Sequence, residues 1–329
     1  MRRRDFVTLL GGAAAGWPLA ARAQQTGKFP TIGWLDSGRS PTEALAAFNK
    51  GLAEAGYVVG RNVNLEYRSA EGDSDRLRPL VAELVRRQVA VIVPTTGTAA
   101  HAAKAVTQTI PIVFSMGGDP VEEGLVASLN RPGANLTGVA VQAGEIAAKR
   151  LELLHELVPQ AESIAALVRS ERPDSSDFSR AQSKGFQTAA LALGVRLLLV
   201  NAMTESDIAG AVANAVEHHA GALLVGAEQA FADVIPQIIS LANRYSLPVM
   251  FLRRRAVEAG ALASYGSDAS ESFRQLGVYT GRVLKGEKAG DLPVVRPTKF
   301  ELAINLKTAR ALGITVPLAL LAAADEVIE

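Results

Sequence analysis

Apolar and polar residues alternate in blocks along the chain, and these blocks predict a repeating order of buried strands and amphipathic helices. Short apolar segments are separated by longer segments in which apolar residues recur at the helical spacing. Because the apolar segments contain few polar positions, we expect parallel sheets that are covered by helices on both faces. The predicted strands are residues 31–35, 63–67, 89–93, 112–115, 136–141, 164–168, 196–200, 222–225, 249–252, 261–265 and 299–305.

The same pattern occurs twice, which predicts two similar lobes. Residues 63–93 align with residues 195–225 without a gap, so that strand, helix and strand fall at the same offsets. The predicted fold class is therefore α/β, with two open, mainly parallel, doubly wound lobes joined by a hinge of several strands. The first lobe is expected to comprise residues 30–141 and about 266–292, and the second residues 142–265 and about 293–329. Repeated crossings of this kind leave a cleft between the lobes, and we expect the lobes to close around a ligand.

The amino-terminal segment predicts export from the cytoplasm. It has a basic start, an apolar run at residues 6–15 and the sequence Ala21-Arg22-Ala23, so cleavage is expected after Ala23. The apolar run is shorter than the roughly 20 residues that a membrane-spanning helix needs. The pair Arg3-Arg4 resembles a twin-arginine signal, and general secretory export is the alternative. The chain after residue 23 is therefore expected in the periplasm.

Composition and charge exclude several classes of protein. Of the 329 residues, 48% are hydrophobic and 20% are charged, a balance that supplies ample core material for two lobes. The formal charge is +1, and without residues 1–23 the chain is slightly acidic, so neither nucleic-acid nor membrane-surface binding is expected. The absence of cysteine excludes disulfides, thiolate nucleophiles and a lipid-modified cysteine.

The chain offers no convincing set of catalytic or metal-binding residues. The glycine-rich turn at residues 115–119 lacks the lysine and the spacing of a phosphate-binding loop, and no G-x-S-x-G elbow occurs. The adjacent His218 and His219 would point apart on a helix, without a third ligand nearby in the sequence. We therefore expect no enzyme activity, no cofactor and no metal. An enzyme on the same scaffold is the alternative, and it would need an acid–base pair in the cleft.

In open parallel sheets, ligands bind beyond the carboxyl ends of the strands, where loops lead into helices. On the first lobe this rule selects Trp34, Asp36, Ser37, Thr95, Thr96, Gly97, Thr98, Ser115 and Asp119. Hydroxyl groups and free backbone N–H groups at a helix start suit a carboxylate or another anion. Other roles stay open for three of these residues: Thr96 as a helix cap, Asp119 as a turn cap and Trp34 as a core residue.

On the second lobe and at the hinge, the same rule selects Ser170, Glu171, Glu228, Gln229, Tyr265 and Asp268. A carboxylate such as Glu228 would hold an ammonium group and so balance an anion site on the first lobe. Arg253, Arg254 and Arg255 also follow a predicted strand. Three interpretations stay open for them: an anion site, a solvated loop or a docking surface for a partner. The sequence does not show whether they face the cleft.

Three segments carry a resemblance to a known family. They are residues 51–73, residues 110–139 with Asp119-Pro120 and Asn130-Arg131-Pro132-Gly133, and residues 284–317. Together they resemble the ABC-transporter substrate-binding proteins of the tryptophan/tyrosine type, which are periplasmic binding proteins of the type I fold. The resemblance runs from about residue 31 to the end of the chain.

The resemblance implies a monomer that captures a small polar or amino-acid-like ligand, aromatic in some relatives, and delivers it to an ABC permease in the inner membrane. Two loops depart from those relatives. Residues 226–229 read Gly-Ala-Glu-Gln where relatives tend to have Thr-Asp-Asn, and residues 36–39 read Asp-Ser-Gly-Arg where they often have a glutamine and a histidine. Both loops fall where a ligand would sit, so the identity of the ligand stays open. A ligand-sensing receptor subunit is a further alternative.

Overall fold

The computed structural model describes residues 29–38, 42–169 and 177–329, and the predicted export signal lies outside them. The elements up to the first crossing are β1 (Thr31–Asp36), α1 (Thr42–Glu54), β2 (Asn64–Ser69), α2 (Leu77–Arg86), β3 (Val91–Pro94), α3 (Gly97–Val106), β4 (Ile112–Met116) and β5 (Leu136–Ala140). The next are α4 (Ala143–Leu157), β6 (Ser163–Val168), α5 (Asp177–Leu193), β7 (Arg196–Asn201), α6 (Asp207–Glu217), β8 (Ala222–Val225), α7 (Gln229–Ala232), α8 (Ile235–Arg244), β9 (Val249–Phe251), α9 (Arg255–Glu258) and β10 (Ala263–Ser267). The last are α10 (Ala269–Leu284), β11 (Phe300–Asn305), α11 (Leu306–Ala311), α12 (Leu318–Ala323) and β12 (Glu326–Ile328).

The strands form two sheets that share one strand order. Lobe 1 contains the five-stranded sheet β2-β1-β3-β4-β5, and lobe 2 contains the seven-stranded sheet β12-β11-β10-β9-β8-β6-β7. The pairs are parallel except for β10 with β11, which are antiparallel. Read from the edge, β2-β1-β3-β4-β5 matches β7-β6-β8-β9-β10, as the alignment of residues 63–93 with residues 195–225 predicts. The predicted fold class, two mainly parallel α/β lobes, is confirmed.

The strands form where the sequence is apolar because both faces of each sheet are covered. In lobe 1, α1 and α10 cover one face and α2 and α3 cover the other. In lobe 2, α4 and α5 pack on one face, opposite α6 and α8. The predicted strands all occur, and each begins and ends within two residues of its predicted segment. Strand β12 was not predicted, because three half-buried residues are too few to show an alternation of apolar and polar positions.

The hinge is made where the chain passes between the lobes. It leaves lobe 1 after β5 to form α4, and it returns after β10 to form α10, which packs along α1. Val295 then pairs with Val139 at the edge of the first sheet before the chain enters β11 of the second. Within the described residues, no helix combines the length and the apolar character that a bilayer crossing requires.

The return of α10 to lobe 1 depends on close backbone approach. A Cβ atom placed on Gly277 of α10 would overlap the carbonyl oxygen of Phe48, and one on Gly51 of α1 would overlap that of Arg274. Only glycine fits at such positions, since the two helix backbones touch there. The α1–α10 contact therefore fixes where the second crossing ends.

Candidate functional site

The cleft lies between the carboxyl ends of the strands of the two lobes, and the lobes touch beside it. A Cβ atom on Gly117, after β4, would lie 2.6 Å from the Cα atom of Phe178 in α5. Nearby, the Nζ atom of Lys184 lies 3.3 Å from Oε2 of Glu122, so that an exposed ion pair also spans the lobes. The loop after β4 and the start of α5 therefore form one side of the cleft.

In lobe 1, the predicted hydroxyl groups of the loops after β1 and β3 lie in contact with each other. The Oγ atom of Ser37 lies 2.5 Å from Oγ1 of Thr96. Thr96 also caps α3, since its Oγ1 accepts the Ala99 N–H at 3.2 Å. The N–H groups of Gly97 and Thr98, in the first turn of α3, have no acceptor within the helix. Two hydroxyls and a positive helix end thus meet at one place, which favours an anionic group.

The other polar candidates of lobe 1 are engaged locally. Asp36 is only 5% exposed, and its Oδ1 accepts the Gly38 N–H at 3.1 Å. Thr95 donates its N–H to the Leu35 carbonyl oxygen at 3.0 Å. Asp119 caps its own turn, because its Oδ1 accepts the Val121 N–H at 2.7 Å and a second N–H at 3.2 Å. Ser115 is buried on β4. Asp119 therefore takes the capping role that the sequence left open.

On lobe 2, Glu228 stands at the end of β8 with donors arranged around its carboxylate. Its Oε1 accepts from the Ser179 hydroxyl at 3.2 Å, from the Gln182 Nε2 at 3.3 Å and from the Arg169 N–H at 3.4 Å. The Gln182 side chain also accepts the Ala227 N–H at 2.8 Å, which ties the loop to α5. The carboxylate thus lies next to the part of α5 that touches lobe 1.

Ser179 and Gln182 are site residues that the sequence reasoning missed. Both are buried, although α5 packs its inner face against apolar residues. The signal that could have found them is a pair of polar residues three positions apart, on the same helix face as the apolar residues Phe186 and Ala189.

A buried arginine lies beneath this carboxylate. Arg150 of α4 is 1% exposed and donates through Nη2 to the carbonyl oxygens of Val225 and, at 3.3 Å, Met250. Its guanidinium also lies 5.8 Å from the ring centre of Phe186. Burial lowers the pKa of Arg150 to about 10, and the negative charge of Glu228 opposes that shift.

The two aromatic candidates both stack on neighbouring aromatic rings. Trp34 is fully buried in lobe 1, with its ring edge-on to Phe48 at 4.9 Å and stacked on Phe273 at 6.3 Å. Tyr265 stacks on Phe300 at 5.8 Å and packs on the core of lobe 2. Both lie within their strands, whereas ligands bind beyond the strand ends in open parallel sheets. Trp34 therefore has the core role that was the alternative, whereas Tyr265 is half-buried and its role at the hinge stays a prediction.

The hinge candidate Asp268 has two roles. Its Oδ1 accepts the Ser270 N–H at 2.8 Å and so caps α10. It also lines a cavity of about 450 Å³ at the crossings, with Ser267 and Glu271 on one wall and Arg296 on another. Ser170 and Glu171 lie outside the described residues, as does the side chain of Gln229.

The three consecutive arginines point in different directions. Arg254 pairs with Glu258 at 3.2 Å and with Glu326, and Arg255 donates to the Ala232 carbonyl oxygen at 2.7 Å. Arg253 is half-buried. Burial and the neighbouring Arg255 lower its pKa, while Glu43, Asp233 and Asp268 act in the opposite direction. Glu43 belongs to lobe 1, so a charge of the opposite lobe acts on Arg253.

Comparison with known proteins finds similarity over both lobes. Residues 36–328 match the family model of the ABC transporter substrate binding proteins. The chain is 27% identical over 270 residues to the tyrosine-binding protein of Clostridioides difficile, covering 82% of this chain and 76% of that protein.

Two solved structures are similar in fold and in sequence. One is the ABC domain from Streptococcus pneumoniae in complex with L-Trp, with a TM-score of 0.74, 28% identity, and coverage of 91% of this chain and 100% of that one. The other is a conserved domain protein from Vibrio cholerae, with a TM-score of 0.73, 28% identity and the same coverage, 91% and 100%. The similarity thus extends through the strands and loops that form the cleft.

Proposed function

The chain belongs to the ABC transporter substrate-binding protein family, and we propose that it captures a small amino-acid-like ligand between its lobes and delivers it to a permease of the inner membrane. Substrate-binding proteins of ABC importers act outside the cytoplasm. The proposed form is a monomer, exported with its amino-terminal segment removed after Ala23. Its role is binding and release, without chemical change of the ligand.

The observation that carries the choice of ligand is the distribution of charge across the cleft. Ser37 and Thr96 meet at the positive end of α3 on lobe 1, and the Glu228 carboxylate stands on lobe 2. A free amino acid carries a carboxylate and an ammonium group, which match these two places. Gln182 is the one described donor to Oε2 of Glu228, at 3.3 Å, so acceptor capacity is left for an ammonium group. The relatives named for tyrosine and solved with L-Trp support this ligand class.

Binding and lobe closure are expected to be one process. The ligand would contact both lobes only when they approach, so it stabilises the closed arrangement relative to the open one. We assign the contacts of Gly117 with Phe178 and of Glu122 with Lys184 to that arrangement, because each of them joins the two lobes. Closure also removes water from the polar groups of the cleft, which strengthens their interaction with the ligand. The permease would then recognise the closed form.

Removing the charge of Glu228 tests the ammonium contact. We expect Glu228→Gln to weaken binding of L-tyrosine or L-tryptophan at least about tenfold, since hydrogen bonds to charged groups contribute ~1.5–3 kcal/mol. The shape of the side chain and its place beside Ser179 are retained. Isothermal titration calorimetry gives the dissociation constants. Glu258→Gln is the matched control, because Glu258 lies on the same lobe in a surface ion pair with Arg254.

Removing the hydroxyl of Thr96 tests the anion site on lobe 1. Thr96→Val keeps the side-chain volume but loses both the Ser37 contact and the helix cap. We expect weaker ligand binding of about fivefold to tenfold, together with a loss of about 1 kcal/mol in the free energy of unfolding. Calorimetry and urea denaturation separate the two effects. Wild-type affinity in both Thr96→Val and Glu228→Gln would rule out the proposed site.

A further inference from the structure

Arg150 is a buried cation whose position is not explained by packing alone. It lies on α4 among the largest fully buried side chains, and its Nε has no hydrogen-bond partner among the described residues. Among the described residues, its two hydrogen-bond acceptors are backbone carbonyl oxygens rather than a carboxylate. Enclosing a charge in this way costs several kcal/mol in real proteins, and an apolar residue of similar volume is often neutral or stabilising at such sites. A role beyond stability is therefore expected.

The two carbonyl groups that Arg150 holds belong to the strands that carry the cleft loops of lobe 2. Val225 is the last residue of β8 and is followed directly by the loop of Glu228. Met250 lies in β9, shortly before Arg253. The two strands are neighbours in the sheet. One guanidinium group thus joins two adjacent strands close to where the loops of Glu228 and Arg253 begin.

Arg150 also places a full positive charge beneath Glu228. The hydrogen-bond donors around the carboxylate, on Ser179, Gln182 and the Arg169 backbone, are uncharged groups. The charges of Arg150 and Glu228 attract each other through the interior of lobe 2, where screening by water is weak. This attraction grows when the cleft closes and water leaves, which is when Glu228 must remain in place for the ligand.

We propose that Arg150 is a positioning residue for the ligand site: from beneath the sheet it fixes the loop of Glu228 and lowers the cost of enclosing that carboxylate when the lobes close. This inference rests on the proposed function of the cleft. Arg150 itself does not touch the ligand, because it is only 1% exposed. Its effect on affinity must pass through Glu228.

The test is a double-mutant cycle with Arg150→Met and Glu228→Gln, using L-tyrosine and L-tryptophan as the probes. We expect Arg150→Met to weaken binding about tenfold, the lower end of what a hydrogen bond to a charged group contributes. In the Glu228→Gln background the same change should have no further effect, since the two residues act through one contact. Arg150→Lys keeps the charge and should recover part of the affinity, which also guards against a folding defect in the methionine variant.

Lys149→Met is the matched control, because it removes a positive charge from the adjacent residue of α4, where the side chain pairs with Glu152 at the surface. It should bind as the wild type does. Wild-type affinity in folded Arg150→Met, or effects of Arg150→Met and Glu228→Gln that simply add, would overturn the proposal. The cycle is measured with whichever of the two amino acids binds the wild type.

A second readout needs no ligand and separates this proposal from the proposed function. The Gly226 N–H donates a hydrogen bond to the Leu167 carbonyl oxygen at 2.8 Å, and the Ala227 N–H donates one to the Gln182 side-chain oxygen at 2.8 Å. Arg150→Met should raise the hydrogen-exchange rate of these two amides at least about tenfold, whereas Lys149→Met should not. If neither amino acid binds the wild type, the ligand class is wrong, and this exchange experiment still decides the role of Arg150. Unchanged exchange would overturn it.

Discussion

Replacing Gly117 by valine is expected to weaken ligand binding by more than about a hundredfold while both lobes stay folded. A Cβ atom at this position would lie 2.6 Å from the Cα and 2.7 Å from the Cβ of Phe178, distances that no real contact of this kind tolerates. Because we assign this contact to the closed arrangement, the clash should penalise that arrangement and spare the open one. Overpacking costs ~1–3 kcal/mol, and the two methyl groups of valine increase this cost. The free energy of the closed form rises by that amount relative to the open form, so the open form is more populated and the apparent affinity falls.

Two measurements check the Gly117 prediction. Calorimetry with the amino acid that binds the wild type gives the loss of affinity, and small-angle X-ray scattering shows whether the ligand still makes the molecule more compact. Gly210→Ala is the control, because no atom lies within 4 Å of a Cβ built at that position in α6 of lobe 2. If Gly117→Val binds and compacts like the wild type, the contact with Phe178 is not part of the ligand-bound form.

The largest effect on stability is expected at Gly277. A Cβ atom there would overlap the Phe48 carbonyl oxygen and lie 2.7 Å from the Leu52 backbone nitrogen, so α10 would have to move away from α1. We expect Gly277→Ala to lower the free energy of unfolding by about 3 kcal/mol, the upper part of the usual overpacking range. The same substitution at Gly210 meets no neighbour and should raise it by up to ~1 kcal/mol, because alanine favours a helix more than glycine does.

Urea denaturation followed by tryptophan fluorescence measures both glycine variants. Trp34 lies between Phe48 of α1 and Phe273 of α10, so its emission reports whether α10 remains on lobe 1. The midpoint should fall for Gly277→Ala and rise slightly for Gly210→Ala, with unchanged slopes. Equal midpoints for the two variants would show that the helix contact tolerates a methyl group.

The strands could be predicted from the sequence because both faces of each parallel sheet are covered. Strands β3 and β8, which contain Ile92 and Leu224, are apolar at every position. Such short apolar segments differ clearly from the amphipathic helices between them. The orientation of individual side chains could not be predicted in this way. Trp34 lies near a strand end, but Phe48 of α1 and Phe273 of α10 cover its ring, and the sequence does not show which helix covers which strand.

The candidate site was predictable where it follows from the strand ends and was missed where it depends on helices. Ser37, Thr96 and Glu228 come directly after strands and meet partners at the cleft. The residues missed are Ser179 and Gln182 on α5 and Arg150 on α4. Their positions near Glu228 depend on how these two helices pack against the sheet of lobe 2. For Arg150 the sequence does contain a signal, since it shares a helical stripe with Ile146, Leu154 and Leu157, where a charge is unexpected.

The central claim, capture of an amino acid in the cleft, is tested most directly by thermal denaturation of the purified protein with a panel of amino acids, sugars and nucleosides. A ligand at 100 times its dissociation constant should raise the free energy of unfolding by about 2.7 kcal/mol, which appears as a shift of a few degrees. The account predicts that an amino acid such as L-tyrosine or L-tryptophan gives this shift and is recovered chemically unchanged. Stabilisation by a sugar or a nucleoside and by no amino acid, or consumption of the stabilising compound during the assay, would contradict it.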